Sequence, residues 1–143
     1  MSYLPLCHVA EQLFSVFNAM HSGYTANFGE SIRTIQQDLR DIAPTIFLGV
    51  PRIWEKMQSD ILIQSKKKNL QSKILRKALN VSRKYNNLWI KPNFLNSLER
   101  YLWELIIFRH VRNGIGLTNC RIAISGAAPI SQETLKFFRG LGL

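Results

Sequence analysis

Two short stretches hold the residue types from which a site could be built. His8 lies between an extended segment containing Pro5 and an apolar-periodic stretch that begins at Val9. An imidazole there can face a ligand at the end of a strand or simply cap the following helix, and the spacing leaves both open. The second stretch, Ser125-Gly126-Ala127-Ala128-Pro129, ends an apolar run with four small residues. Small side chains let a flat ligand approach the backbone, and they equally suit a tight turn between strand and helix. The order Gly-x-Ser-x-Gly is absent, so Ser125 does not read as a hydrolase nucleophile. His21 and His110 fall near predicted helix ends, where a charge–dipole contact accounts for them. No histidine pair stands at ligand spacing with Cys, Asp or Glu, so no protein-ligated metal is expected. Gly114-x-Gly116 and Gly140-x-Gly142 carry no phosphate-loop signal, since Gly-x-x-x-x-Gly-Lys-Ser/Thr occurs nowhere.

The elements that must position these residues follow from periodicity. Ser2 to Leu6 reads as a short strand that Pro5 confines to an edge or an end. Val9, Leu13, Val16, Phe17 and Met20 recur at steps of three and four, which predicts a helix with one buried stripe, closed at Gly23. Tyr24 to Phe28 reads as a second strand. Ser31 can cap a helix whose stripe is Ile32, Ile35, Leu39 and Ile42 and which Pro44 stops. Thr45 to Val50 is a continuous apolar run between two prolines, as in a strand buried on both faces. Pro51 can open the next helix, with Ile53, Trp54 and Met57 on one side. Leu70, Ile74, Lys77 and Val81 give a weak stripe, broken by Asn86, Asn87, Pro92 and Asn93. A helix from about Leu95 follows, with Leu98, Leu102, Leu105 and Ile106 on one stripe and Trp103, Ile107 and Phe108 widening it. Gly114 and Gly116 end it. Arg121 to Ser125 is a strand. Ser131 caps the last helix, which ends at Gly140, and Ile130 and Leu135 occupy the positions of a hydrophobic staple. Strands alternating with helices predict an α/β layered domain with a largely parallel sheet.

Charge is distributed unevenly. The 143 residues carry 19 Lys and Arg against nine Asp and Glu, a net +10. Twelve of those cations and only two acids, Glu99 and Glu104, fall between Ile61 and Asn113, so this one segment holds the whole surplus. Tyr85, Trp89, Phe94, Tyr101 and Trp103 are interleaved with the cations. Three readings stay open: a solvated helical face, contact with an anionic membrane surface, or nucleic-acid binding. A hydrophobic fraction of 46% excludes a disordered tail. No apolar run follows a basic N-terminus, and no run of about 18 apolar residues exists, so neither signal peptide nor spanning helix is expected. Cys7 and Cys120 are far apart and read as small buried residues, which suits a reducing cytoplasm.

Three stretches resemble one family. SYLPLCHVAE at 2–11 is similar to the "SYLPLxHxxE" segment of long-chain acyl-CoA synthetases. DLRDIAPTIFLGVPRIWEK at 38–56 is similar to their "DL…PTxFxxVPRxWEK" segment, and RIAISGAAPIS at 121–131 to their "RxxxSGAAPxS" segment. The order and spacing agree over nearly the whole chain. These synthetases are AMP-forming ligases of the adenylate-forming superfamily.

The resemblance implies a partial doubly wound, mainly parallel α/β sheet with flanking helices, the middle of the N-terminal domain of an AMP-dependent synthetase. Residues 1–143 would be part of that one domain, with a basic helical excursion at 61–113. It implies a ligation in which a long-chain fatty acid, ATP and CoA give acyl-CoA, AMP and pyrophosphate through acyl-AMP, with Mg2+ accompanying ATP. His8 would position substrate or gate the CoA tunnel rather than serve as a proton-transfer base. Gly126, Ala127, Ala128 and Pro129 would lie beside the adenine and the acyl end. The Val9-to-Met20 helix would line the tail tunnel or serve only as core. In the family pattern a Ser/Thr/Gly-rich phosphate loop precedes this stretch. A Tyr-Gly-x-Ser/Thr-Glu motif, a ribose-binding Asp, a hinge and a C-terminal domain with a catalytic Lys follow it. The chain is therefore expected to be an internal fragment without a complete catalytic set, inactive alone. A basic membrane-surface or lipid-binding module without catalysis is the alternative. Expected partners are the fatty acid, ATP, CoA, the remainder of the enzyme chain and, through 61–113, an anionic membrane; nucleic acid is not expected. The expected location is the cytoplasm, with peripheral membrane contact.

Overall fold

The computed structural model describes residues 1–84 and 101–143. The expected breakers Asn86, Asn87, Pro92 and Asn93, the aromatics Tyr85, Trp89 and Phe94, and the helix start at Leu95 with Leu98 lie outside the described residues.

Two parallel strands organise the chain. The β-rich run after Pro44 forms β1 (Ile46–Gly49), and the run after Arg121 forms β2 (Ile122–Ser125). They pair in register from Ile46 opposite Ile122 to Gly49 opposite Ser125. Ahead of β1 come α1, a continuous helix over 9–22 whose middle, Gln12–Phe17, is π-helical, and α2 (Ile35–Ile42). Between the strands run α3 (Pro51–Lys66), α4 (Leu70–Lys84) and the helix α5, π-helical over Glu104–Phe108 and α-helical over Arg109–Gly114. After β2 comes α6 (Gln132–Gly140). Parallel strands joined through helices make this a partial α/β fold.

Local chemistry sets the helix ends. Pro51 opens α3 at a first-turn position where its missing N–H costs nothing. Ser131 Oγ accepts the Thr134 N–H at 3.1 Å and caps α6. Ser31 Oγ accepts the N–H groups of Arg33 and Thr34, each at 3.2 Å, but the turn it closes precedes α2, which starts at Ile35. Ile32 is left outside the helix and exposed.

The core lies on one side of the sheet. Phe47 points into it and stacks edge-on with Trp54, which meets Phe138 in turn, with ring centroids 5.3 and 5.0 Å apart. Trp54 Nε1 donates to the Gly49 carbonyl at 3.1 Å, tying α3 to the end of β1. Leu39, Met57, Phe108, Leu117 and Leu141 are fully buried around this aromatic row.

Several expectations are corrected. The strands at Ser2–Leu6 and Tyr24–Phe28 shrink to one parallel bridge, Ser2 with Phe28. Ser2 N–H donates to Asn27 O and Gly29 N–H to Ser2 O, both at 2.8 Å, and Pro5 has no N–H with which to continue a ladder. β1 is buried on one face, not both: Phe47 is covered while Ile46 is exposed. The α1 stripe is exposed, with Val9 at 75% and Met20 at 81%, because no described element packs over it. In α4 the packed face is Ser72, Ala78, Leu79 and Ser82 rather than the stripe headed by Leu70, since small residues allow close helix approach. In α5 Leu102, Leu105 and Ile106 of the expected stripe are exposed, whereas the residues expected to widen it reach the core: Phe108 is buried and Trp103 and Ile107 pack against it. Leu135 of the expected staple is exposed. Cys7 is exposed and Cys120 only half-buried, where burial pushes its thiol pKa up.

Candidate functional site

Parallel strands deliver whatever follows them to their C-terminal ends, and both candidate stretches are tied to that end of the sheet. The turn at 126–129 leaves β2 directly after Ser125, which pairs with Gly49. Tyr3 anchors the segment that carries His8, because its hydroxyl oxygen accepts the Val50 N–H at 3.0 Å just beyond β1. Burial pushes the Tyr3 phenol pKa up, against the lowering effect of that N–H. A neutral phenol therefore holds the joint.

His8 is the cap of α1. Its Nδ1 accepts the Ala10 N–H at 3.2 Å, so in the neutral ring the proton sits on Nε2, on the far side of the imidazole. The capping reading is thus realised, and it fixes which nitrogen is left to meet a ligand. The loop before His8 is held by Glu11, the last residue of the 2–11 stretch, to which the sequence reading gave no role of its own. Glu11 is buried, at 5% exposure, and its Oε2 accepts the Leu4 N–H at 3.1 Å. Burial alone would raise its pKa. Hydrogen bonds from the Ser15 and Ser2 hydroxyls and from the Leu4 and Tyr3 N–H groups outweigh burial and hold the carboxyl below its usual range. A glutamate in a first helical turn resembles any solvated N-terminal acid, so its place in the 2–11 stretch did not give its role.

This carboxylate gives a pH-dependent prediction. Glu11→Gln is expected to lower unfolding stability by about 1–3 kcal/mol at neutral pH, the scale of hydrogen bonds to a charged group. A depressed folded pKa means that the contribution is complete above the ordinary carboxylate value of about 4.3 and disappears as pH falls through the lower folded value. Denaturant midpoints of both proteins, followed from pH 7 to pH 3, should therefore converge on the acid side. A gap that stays constant with pH would contradict the ionised anchor.

The turn itself is open. Ala127, Ala128 and Pro129 are exposed. Ala127 adopts a left-handed φ of 71°. A Cβ added to Gly126 would meet only Leu48 Cδ1, at 3.5 Å, so packing within the described residues does not demand a glycine there. Ser125 Oγ is buried without a hydrogen-bond partner among the described residues.

Leu48 also belongs to a second feature. A cavity of about 610 Å³ lies between α1 and the sheet face opposite the core. Phe14 and Asn18 of α1 line it, with Leu48 and Ile124 toward the ends of the strands and Ile46 and Ile122 at their starts. It thus runs along the strands, under Leu48 from the turn, and its size is ordinary for a small-molecule site. The turn and His8 do not line it themselves. Among the described residues, no three of His, Cys, Asp and Glu converge as metal ligands.

A family described as "AMP-binding enzyme" matches residues 1–143. The long-chain-fatty-acid–CoA ligase ACSBG2 of Gallus gallus is 35% identical over 147 residues, covering 100% of this chain and 19% of that protein. The ACSBG2 ligase of Homo sapiens is 31% identical, with 100% and 22% covered. The long-chain-fatty-acid–CoA ligase ACSBG1 of Rattus norvegicus is 31% identical, with 100% and 20% covered. The chain therefore spans about a fifth of the length of these relatives. No solved structure matches it.

Proposed function

The chain belongs to the AMP-binding enzyme family, and on that premise we propose that it is a stretch of a long-chain fatty acid–CoA ligase, part of one N-terminal AMP-dependent synthetase domain. In the proposed reaction the fatty carboxylate attacks the α-phosphorus of ATP, pyrophosphate leaves, and acyl-AMP forms. The CoA thiolate then attacks the acyl carbon and AMP leaves. Mg2+ is proposed to arrive with the phosphates of ATP.

This stretch would contribute binding and orientation. Gly126, Ala127, Ala128 and Pro129 would leave room for adenine, and the unpaired Ser125 hydroxyl would meet a polar edge of the nucleotide. The acyl tail would run along the strands in the cavity lined by Phe14, Ile46 and Ile124. His8, held through Nδ1 at the head of α1, would present Nε2 toward the acyl and pantetheine groups and position or gate them. The observation that carries this reading is the meeting of the small-residue turn and the apolar cavity at Leu48. An adenine seated over the turn would then lie next to an acyl tail in that cavity.

A lipid-binding module without catalysis is not favoured, because the relatives matched over the whole chain are named as ligases. The proposed location is cytoplasmic with peripheral membrane contact. The direct test is a graft. Residues 1–143 replace the matched stretch of the Homo sapiens ACSBG2 ligase, and the purified chimaera is assayed for oleoyl-CoA formation. A monodisperse chimaera that makes oleoyl-CoA with ATP and CoA supports the reading; a monodisperse chimaera without activity overturns it.

A further inference from the structure

We propose that the tip of the α3–α4 hairpin is a docking surface for an anionic lipid bilayer. Lys66, Lys67 and Lys68 crowd the connection between the two helices, and all three are exposed. Lys73, Arg76 and Lys77 continue the charge along α4 on the face away from its buried residues Ala78 and Ser82. No acidic residue occurs between Asp60 and Glu99. The only ion pair among the described residues joins Arg112 to Glu104 and involves none of these cations.

The tip also carries an apolar side chain held outward. Leu70 is 72% exposed, while Ile63, 57% exposed, lines the cleft between α3, α4 and α5. Leu70, Lys73 and Lys77 are spaced at i, i+3 and i+7, so they share one face of α4. Asn69 and Ser72 fix this arrangement: Asn69 Oδ1 accepts the Ser72 N–H at 2.8 Å, and Ser72 Oγ donates to the Asn69 carbonyl at 2.8 Å. Leu70, at the first helical position, is thereby held clear of the hairpin.

Exposed lysines around a fixed aliphatic residue suit a charged interface with an apolar layer beneath it. A nucleic-acid surface would instead present aromatic platforms for bases, and the described residues of this tip carry only aliphatic ones. No helix among the described residues is long and apolar enough to cross a membrane, and the proposed contact is peripheral. Docking there would bring the chain to the layer where long-chain fatty acids partition, yet it needs no catalytic group. Its test therefore stands apart from the ligase reading.

The test is flotation of the 143-residue chain with vesicles. At low salt the chain should float with phosphatidylcholine vesicles containing 30 mole per cent phosphatidylserine and stay down with phosphatidylcholine alone. Combining Lys67→Glu, Lys68→Glu and Lys73→Glu should weaken binding by more than about 100-fold, since the attraction that each basic residue adds near an anionic surface is lost and replaced by repulsion. Leu70→Ser should weaken it about tenfold and remove the binding that survives 0.5 M salt, since that part is apolar. Arg33→Glu, Arg52→Glu and Arg121→Glu together, all exposed and outside the tip, make the same charge change and should retain most of the binding. Circular dichroism confirms equal helix content throughout. Absence of flotation with phosphatidylserine, equal loss in the control triple variant, or tighter binding to duplex DNA with no effect of Leu70→Ser would each overturn the proposal.

Discussion

Gly116→Ala is expected to abolish the cooperative fold, whereas Gly114→Ala, two residues earlier, is expected to preserve it. Gly116 sits at φ +77°, where an L side chain is strained, and an added Cβ would overlap the backbone of Leu39 and Arg40 at the end of α2. Backbone cannot rotate aside as a side chain can. Strain and overlap together should cost about 4 kcal/mol or more, most of what a marginal domain has. The same corner is fixed by Arg40, whose Nε donates to the Gly114 carbonyl at 2.7 Å. Gly114 has nothing within 4 Å of its would-be Cβ and lies in the last turn of α5. Alanine there should be neutral or stabilising by up to about 1 kcal/mol through helix propensity. Thermal unfolding followed by the helical dichroism signal, in the chain and in the chimaera, separates the two. A cooperative melt of Gly116→Ala near that of the parent would refute the close approach of the 116 turn to α2.

Ala128→Trp is the counterpart for activity. Ala128 is exposed, so an indole there displaces little of the protein and soluble yield should hold. The same indole would occupy the space over the 126–129 turn that the proposal gives to adenine. ATP–pyrophosphate exchange in the chimaera should fall at least about 100-fold, the scale of misplacing reacting groups by an ångström. Ala128→Gly should stay close to the parent. Undiminished exchange in the tryptophan variant would remove the nucleotide from this turn.

The punctuation of the fold is legible in the sequence, and the sides of its helices are less so. Pro51, Ser131, Gly23 and Gly140 mark element ends because turn and cap chemistry is local. The turn at 126–129 and the cap at His8 are legible for the same reason. Burial is not local. The apolar stripe of α1 identifies a face that would gain from cover, but periodicity cannot say whether an element lies over it. In α4 the packed face is Ser72, Ala78, Leu79 and Ser82, and a hydrophobicity pattern passes over its three small members in favour of Leu70 and Ile74. The role of Glu11 is not legible in its motif, because a carboxylate acquires it only when Leu4 and Ser15 fold against it. The cavity beside Leu48 is a relation between α1 and two strands far apart in sequence, so no single stretch announces it.

That separation has a kinetic side. Ile46 pairs with Ile122, 76 positions later in the chain. A contact of such range forms late, because the intervening loop must first be shortened by local helix formation. At synthesis rates of about 5–20 residues per second, β1 would leave the ribosome roughly 4–15 seconds before its partner exists. During that interval Ile46, Phe47 and Leu48 are an unpaired apolar strand, of the kind that chaperones hold. The helical hairpin of α3 and α4 lies within that connection, so slowing its formation should lower soluble yield without touching a single residue of the sheet.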